Sequence, residues 1–112
     1  MLDLRLYMAQ RITAALMAPF VTVHLGVMIY AIQGGLSAAE ILGRTQGSVP
    51  WFLFYGGFVM AAAIHAAIGL RVIAYEVLGL RLGAVRVLMW FSGLLLAGMG
   101  MWSVVAVTWG PA

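Results

Sequence analysis

Three apolar stretches, at about residues 12–32, 51–70 and 87–107, constrain the fold of this chain more than any other feature, because none holds an Asp, Glu, Lys or Arg. Each is close to the roughly 20 residues that an α-helix needs to cross the hydrocarbon core of a bilayer. The remaining residues cannot supply an alternative. Only 8% of the 112 positions are charged and 65% are hydrophobic, whereas a soluble domain has about a quarter of its residues charged. The expectation is an all-α membrane protein, a single domain over residues 1–112 with three transmembrane helices. The first stretch is too long for the apolar core of a signal peptide and has no small-residue cleavage site after it, so it is read as a retained span.

Several function classes drop out at once. There is no cysteine, which removes disulfides, thiolate metal sites, iron–sulfur ligation and thiol nucleophiles. The formal charge of +3 comes from scattered arginines without a basic run, so no nucleic-acid partner is expected. Arg5, Arg11, Arg71, Arg81 and Arg86 fall at one set of span ends and Arg44 alone at the other. The positive-inside bias then puts the N-terminus in the cytoplasm and the C-terminus outside. Most of the tryptophans and tyrosines lie toward span ends, as headgroup anchors do.

In the outer loop, residues 33–50, Ser37 is followed three positions later by Glu40, with Leu36 and Ile41 placed as a hydrophobic staple. This capping box predicts a short helix, lying on the outer interface and ending by Gly43. In the inner loop, residues 71–86, Gly79 and Gly83 read as breakers in a segment that follows the inner surface.

Ionisable residues inside a span are costly and mark function by default. Two are present, His24 and His65. On the helical face of His65 lie Gly57, Ala61 and Gly69. Such a face either lets another helix approach closely or accepts a flat macrocycle with histidine as axial iron ligand. The presence of a nitrogen base favours the macrocycle. His24 has Phe20, Val21, Val27 and Met28 on its face and follows Pro19, a residue that commonly kinks a helix and opens space. If Arg11 and Arg71 both mark the inner interface, His24 lies about 20 Å above it and His65 about 9 Å. An offset of roughly 10 Å is too large for two ligands across one iron. Either one histidine binds metal, or the two serve separate haems, with second ligands from another chain.

At the inner boundary, Tyr7 and Arg11 are four residues apart and Arg71 ends the second span. Interfacial anchoring accounts for them. They also suit the propionates of a haem at His65 or the carbonyl oxygen of a lipid quinone, with Thr13 above them as a further contributor.

His65, Gly69, Arg71 and Glu76 reproduce the spacing H-x3-G-x-R-x4-[D/E], and residues 10–14, Gln-Arg-Ile-Thr-Ala, match [H/Q]-R-x-[S/T]-[A/G]. In both respects the chain resembles the membrane-anchor subunits of succinate dehydrogenase and fumarate reductase. The resemblance implies that His65 is an axial ligand of a b-type haem near the cytoplasmic side, and that Arg11 lies at the quinone and propionate region. In two-haem relatives a first-span histidine ligates the outer haem, and His24 is at a matching distance. The implied partners are a second anchor or a copy of this chain, an iron–sulfur subunit and an FAD flavoprotein. The implied location is a bacterial cytoplasmic membrane. Val72 and Val77 stand where the two anchor types carry a second histidine and a tyrosine, and Tyr7 stands where one offers a serine to quinone. The motifs therefore do not decide between the anchor types.

The expected function is thus a cytochrome b anchor that makes no bonds itself but holds haem and walls a quinone site. Two rivals stand beside it. One is a haem-free anchor or assembly subunit in which both histidines only bridge helices. The other is a small oligomeric transporter, disfavoured by an odd number of spans and by the lack of an intramembrane carboxylate.

Overall fold

The computed structural model describes residues 3–110, which form four helices and no strand. They are α1 (Leu4–Gly34), α2 (Ala38–Thr45), α3 (Val49–Glu76) and α4 (Leu82–Thr108). Helices α1, α3 and α4 are each long and apolar enough to cross a membrane.

Side chains fix where three of the helices begin. The Asp3 carboxylate accepts the Leu6 N–H at 2.8 Å, Ser37 accepts that of Glu40 at 3.2 Å, and Ser48 accepts that of Trp51 at 3.3 Å. Each satisfies an N–H that has no partner within its helix. Pro50 sits in the first turn of α3, where its missing N–H costs nothing. Within α1 the helix continues through Pro19 without interruption.

The long helices outrun the apolar stretches at both ends. At 31 residues, α1 is about 46 Å long against a hydrocarbon core of about 30 Å. A helix satisfies its backbone internally in lipid and in water alike, so the edge of the apolar stretch gives it no reason to stop. For the same reason the expected inner loop, residues 71–86, shrinks to residues 77–81. The chain reverses through Gly79, whose φ of 68° suits glycine, and Leu80 N–H donates to the Ala74 carbonyl at 3.1 Å. Gly83 breaks nothing because it lies in the first turn of α4. The outer helix α2 is capped as expected but runs through Gly43 to Thr45. Leu36 and Ile41, the expected staple, both remain exposed.

Helix α3 is central, with α1 packed on one side and α4 on the other. Consecutive long helices run antiparallel, α1 to α3 and α3 to α4, which gathers Arg5, Arg11, Arg71, Arg81 and Arg86 at one end and leaves Arg44 at the other. Contact between α3 and α4 is close because small residues line it. A Cβ on Gly93 would lie 3.1 Å from that of Ala67, and one on Gly100 would run into the Val59 side chain. In lipid, where burial of apolar surface gives no net drive, such backbone approach is what holds helices together. Ala67, Ile68 and Met89 form the core, with Leu6 and Ala9 of α1 against them. Otherwise α1 is thinly covered. Thr13 and Ala31 are its buried residues.

At the end opposite the arginine cluster, α2 and the turn after it close off α4. Thr45 Oγ1 donates to the Val107 carbonyl at 2.8 Å, Gly47 N–H to that of Thr108 at 2.6 Å, and the Gln46 amide to that of Gly110 at 2.7 Å. The Val107 and Thr108 carbonyls are ones that a helix C-terminus leaves unpaired, and Gly110 lies just past it.

Candidate functional site

His65 lies in the middle of α3, half-buried against α1. Its Nδ1 is 3.3 Å from the hydroxyl oxygen of Thr13. That hydroxyl also lies 2.7 Å from the Ala9 carbonyl and 3.1 Å from the Gln10 carbonyl, and Thr13 is only 6% exposed. Thr13 therefore faces α3 and does not join Tyr7 and Arg11. Two residues apart on a helix means about 200° of rotation, which turns Arg11 away from Thr13. Arg11 and Tyr7 are both exposed on α1, with the guanidinium carbon 6.0 Å from the ring centre.

The small residues around His65 meet α1 itself. The ring of Phe20 comes within 3.2 Å of where a Cβ on Gly57 would lie, and the amide nitrogen of Gln10 within 3.5 Å of the corresponding point on Gly69. The groove expected along this face for a flat macrocycle is filled by a neighbouring helix. Small residues on a lipid-spanning helix serve close packing first.

About one and a half turns toward the arginine-rich end, Arg71 reaches α4, where its Nη1 lies 3.9 Å from the Met89 sulfur. Its Nε is buried without an acceptor, and the Gln10 Oε1 is buried without a donor. Each such atom costs about 1–3 kcal/mol if left unpaired. Between the middle of α3 and the arginine-rich end, the bundle thus holds a nitrogen base, a hydroxyl, an unpaired donor and an unpaired acceptor in otherwise apolar surroundings. The nitrogen base suits a Lewis-acidic metal and the free Arg71 N–H a carboxylate or carbonyl oxygen, while the Gln10 oxygen calls for a donor.

His24 lies elsewhere. Its ring packs edge-on against Phe58 at 5.6 Å and Tyr55 at 6.1 Å, and Phe20 stacks on Phe58 at 5.6 Å. Pro19 itself is exposed, and the His24 ring is surrounded by this aromatic cluster instead. Away from the arginine-rich end it continues through Trp51, stacked on Tyr55 at 5.6 Å, into a cavity of about 460 Å³ bordered by Tyr30 and Arg44. Neither aromatic packing nor the cavity was apparent from spacing, since it arises from α1 and α3 together.

The two histidines are far apart along the bundle. His65 is level with Thr13, and His24 lies eleven residues beyond Thr13 on α1, or about 16 Å. Measured along α3, Tyr55 and Phe58 put His24 about 10–15 Å from His65. One iron cannot take both. Among the described residues no cluster of three or more His, Cys, Asp or Glu is placed to hold a metal ion.

The family model described as succinate dehydrogenase/fumarate reductase transmembrane subunit matches residues 2–90. The match takes in both histidines, Arg11 and Arg71. No curated protein and no solved structure matches the chain.

Proposed function

Because the chain belongs to the succinate dehydrogenase/fumarate reductase transmembrane subunit family, we propose that it is a cytochrome b anchor in which His65 holds a b-type haem beside a quinone site. As a member of that family with three apolar helices it is an integral, multi-pass membrane anchor of such a complex. The observation that carries the haem reading is the position of His65 within a membrane-spanning helix, about 9 Å along that helix from Arg71, whose buried Nε has no acceptor.

In this reading Arg71 pairs with a propionate, and Gln10 turns its free oxygen toward a protonated partner group. A bound haem supplies a one-electron iron couple between the iron–sulfur clusters and quinone. Arg11 and Tyr7, exposed on the outer side of α1 near its start, present a cation and a phenol to a quinone or propionate brought against that face by the second anchor. His24, one level further out, ligates an outer haem together with a residue of that second anchor or of a copy of this chain. The arginine-rich end faces the cytoplasm of a bacterial cell, where the iron–sulfur subunit and its FAD-bearing flavoprotein dock. The short helix α2 lies on the opposite interface.

A haem-free anchor is the second reading. It is favoured by Phe20 and Gln10 filling the small-residue face beside His65. A reduced-minus-oxidised spectrum of the complex purified in mild detergent separates the two. The haem reading expects a b-type band that His65→Ala abolishes or strongly shifts. No band, or a band indifferent to His65→Ala, leaves the haem-free anchor.

A further inference from the structure

The hydroxyl of Thr13 has one proton and three neighbours that compete for it. It lies 2.7 Å from the Ala9 carbonyl, 3.1 Å from the Gln10 carbonyl and 3.3 Å from His65 Nδ1. Carbonyl oxygens only accept. The distance to Ala9 is the ordinary one for an O–H···O bond, which commits the single hydroxyl proton to that carbonyl, while the 3.3 Å contact with Nδ1 is long in either direction. The proton therefore points back along α1, and what Thr13 turns toward α3 is a lone pair. Nδ1 can meet a lone pair only as an N–H. A neutral imidazole has a single proton, so Nε2 is left as the bare base.

We infer that Thr13 is the positioning residue of this site, holding His65 as the Nδ1–H tautomer so that the Nε2 lone pair is available to iron. The assignment of iron as the recipient rests on the haem reading above; the tautomer itself does not. Fixing the ring this way has two effects on a metal. The imidazole is oriented before the metal arrives, and the Nδ1–H bond raises the basicity of Nε2. A hydroxyl is a weaker acceptor than the carboxylate often found in this role, but at 6% exposure no water takes its place. The pairing also ties α1 to α3 at the level of the ligand, so that the two helices share one polar contact in an apolar interface.

The test uses two substitutions, in the full-length chain and in the complex. Thr13→Val keeps the shape and removes the lone pairs; Thr13→Ser keeps the hydroxyl. Nitrogen-15 NMR of histidine-labelled chain in detergent reads the tautomer directly, the His65 signals being identified by their loss in His65→Ala. Wild type and Thr13→Ser are expected as Nδ1–H, and Thr13→Val as a mixture or as Nε2–H. In the purified complex, Thr13→Val is expected to retain haem roughly ten-fold less tightly and to shift its midpoint potential upward, with Thr13→Ser close to wild type. A wild-type His65 protonated on Nε2, or a Thr13→Val chain with unchanged nitrogen shifts, overturns the inference. A wild-type complex with no b-type band overturns the haem reading instead, and the nitrogen shifts still decide the tautomer.

Discussion

Gly93, Gly98 and Gly100 lie within two turns of each other on α4, yet only two of them are needed where they are. A Cβ at 93 would press on Ala67 at 3.1 Å and one at 100 would enter the Val59 side chain, whereas at 98 nothing lies within 4 Å. Gly100→Leu is therefore expected to push α3 and α4 apart, at a cost of about 1–3 kcal/mol, while Gly98→Ala is neutral or stabilising by up to ~1 kcal/mol. Unfolding of the two variants in detergent, followed by circular dichroism, checks the contrast; equal stabilities would mean that α4 does not present this face to α3. Individual residues were unequally legible beforehand. The spacing of His65, Gly69 and Arg71 was readable because it is local to one helix. The partnership of Thr13 with His65 was not, because depth was measured from Arg11 and Arg71, which put Thr13 about 3 Å and His65 about 9 Å from the interface. In the fold they are level. Long arginine side chains reach the interface from different depths, and an error of one turn is enough to separate two residues that touch.

Helix α2 matters less as a surface feature than as the lid of α4. Thr45 and Gln46 donate side-chain hydrogen bonds to the Val107 and Gly110 carbonyls, and Gly47 donates a backbone one to Thr108. The double variant Thr45→Val with Gln46→Ala leaves two carbonyls unpaired at the outer end of α4, a loss of about 1–3 kcal/mol in sum. Its expected signature is local: faster amide hydrogen exchange in the last two turns of α4, with the inner half of α3 and α4 unaffected. Uniform acceleration along α4 would show that the loop supports the whole helix and not its end. The capping box that starts α2 was legible at Ser37 and Glu40, since it needs only residues three apart. What α2 does could not be read, because it bonds to residues more than sixty positions away. Helix ends misread by several residues have a similar cause. Hydropathy reports where lipid begins, and a helix need not end there.

The whole molecule is an incomplete bundle. Helix α1 meets α3 along one seam and leaves most of its surface uncovered, and α1, α3 and α4 border an apolar groove of about 280 Å³ lined by Leu6, Ala9, Ala67 and Gly93 among others. A second anchor, or a second copy, would cover surface of this kind. The distance between the histidines then sets the stoichiometry. With His24 and His65 about 10–16 Å apart along the bundle, one iron cannot take both, and under the haem reading proposed above each histidine would serve a haem at its own level. His24→Ala is expected to lower the haem content of the complex by one while the component lost in His65→Ala remains, the two losses falling on components of different midpoint potential. Pyridine haemochrome content per complex, combined with a potentiometric titration, reads both quantities. Should His24→Ala leave content and both potentials intact, the outer level holds no haem ligated by this chain. His24 is then a packing residue of the Phe20, Tyr55 and Phe58 cluster, and the anchor serves a single haem at His65.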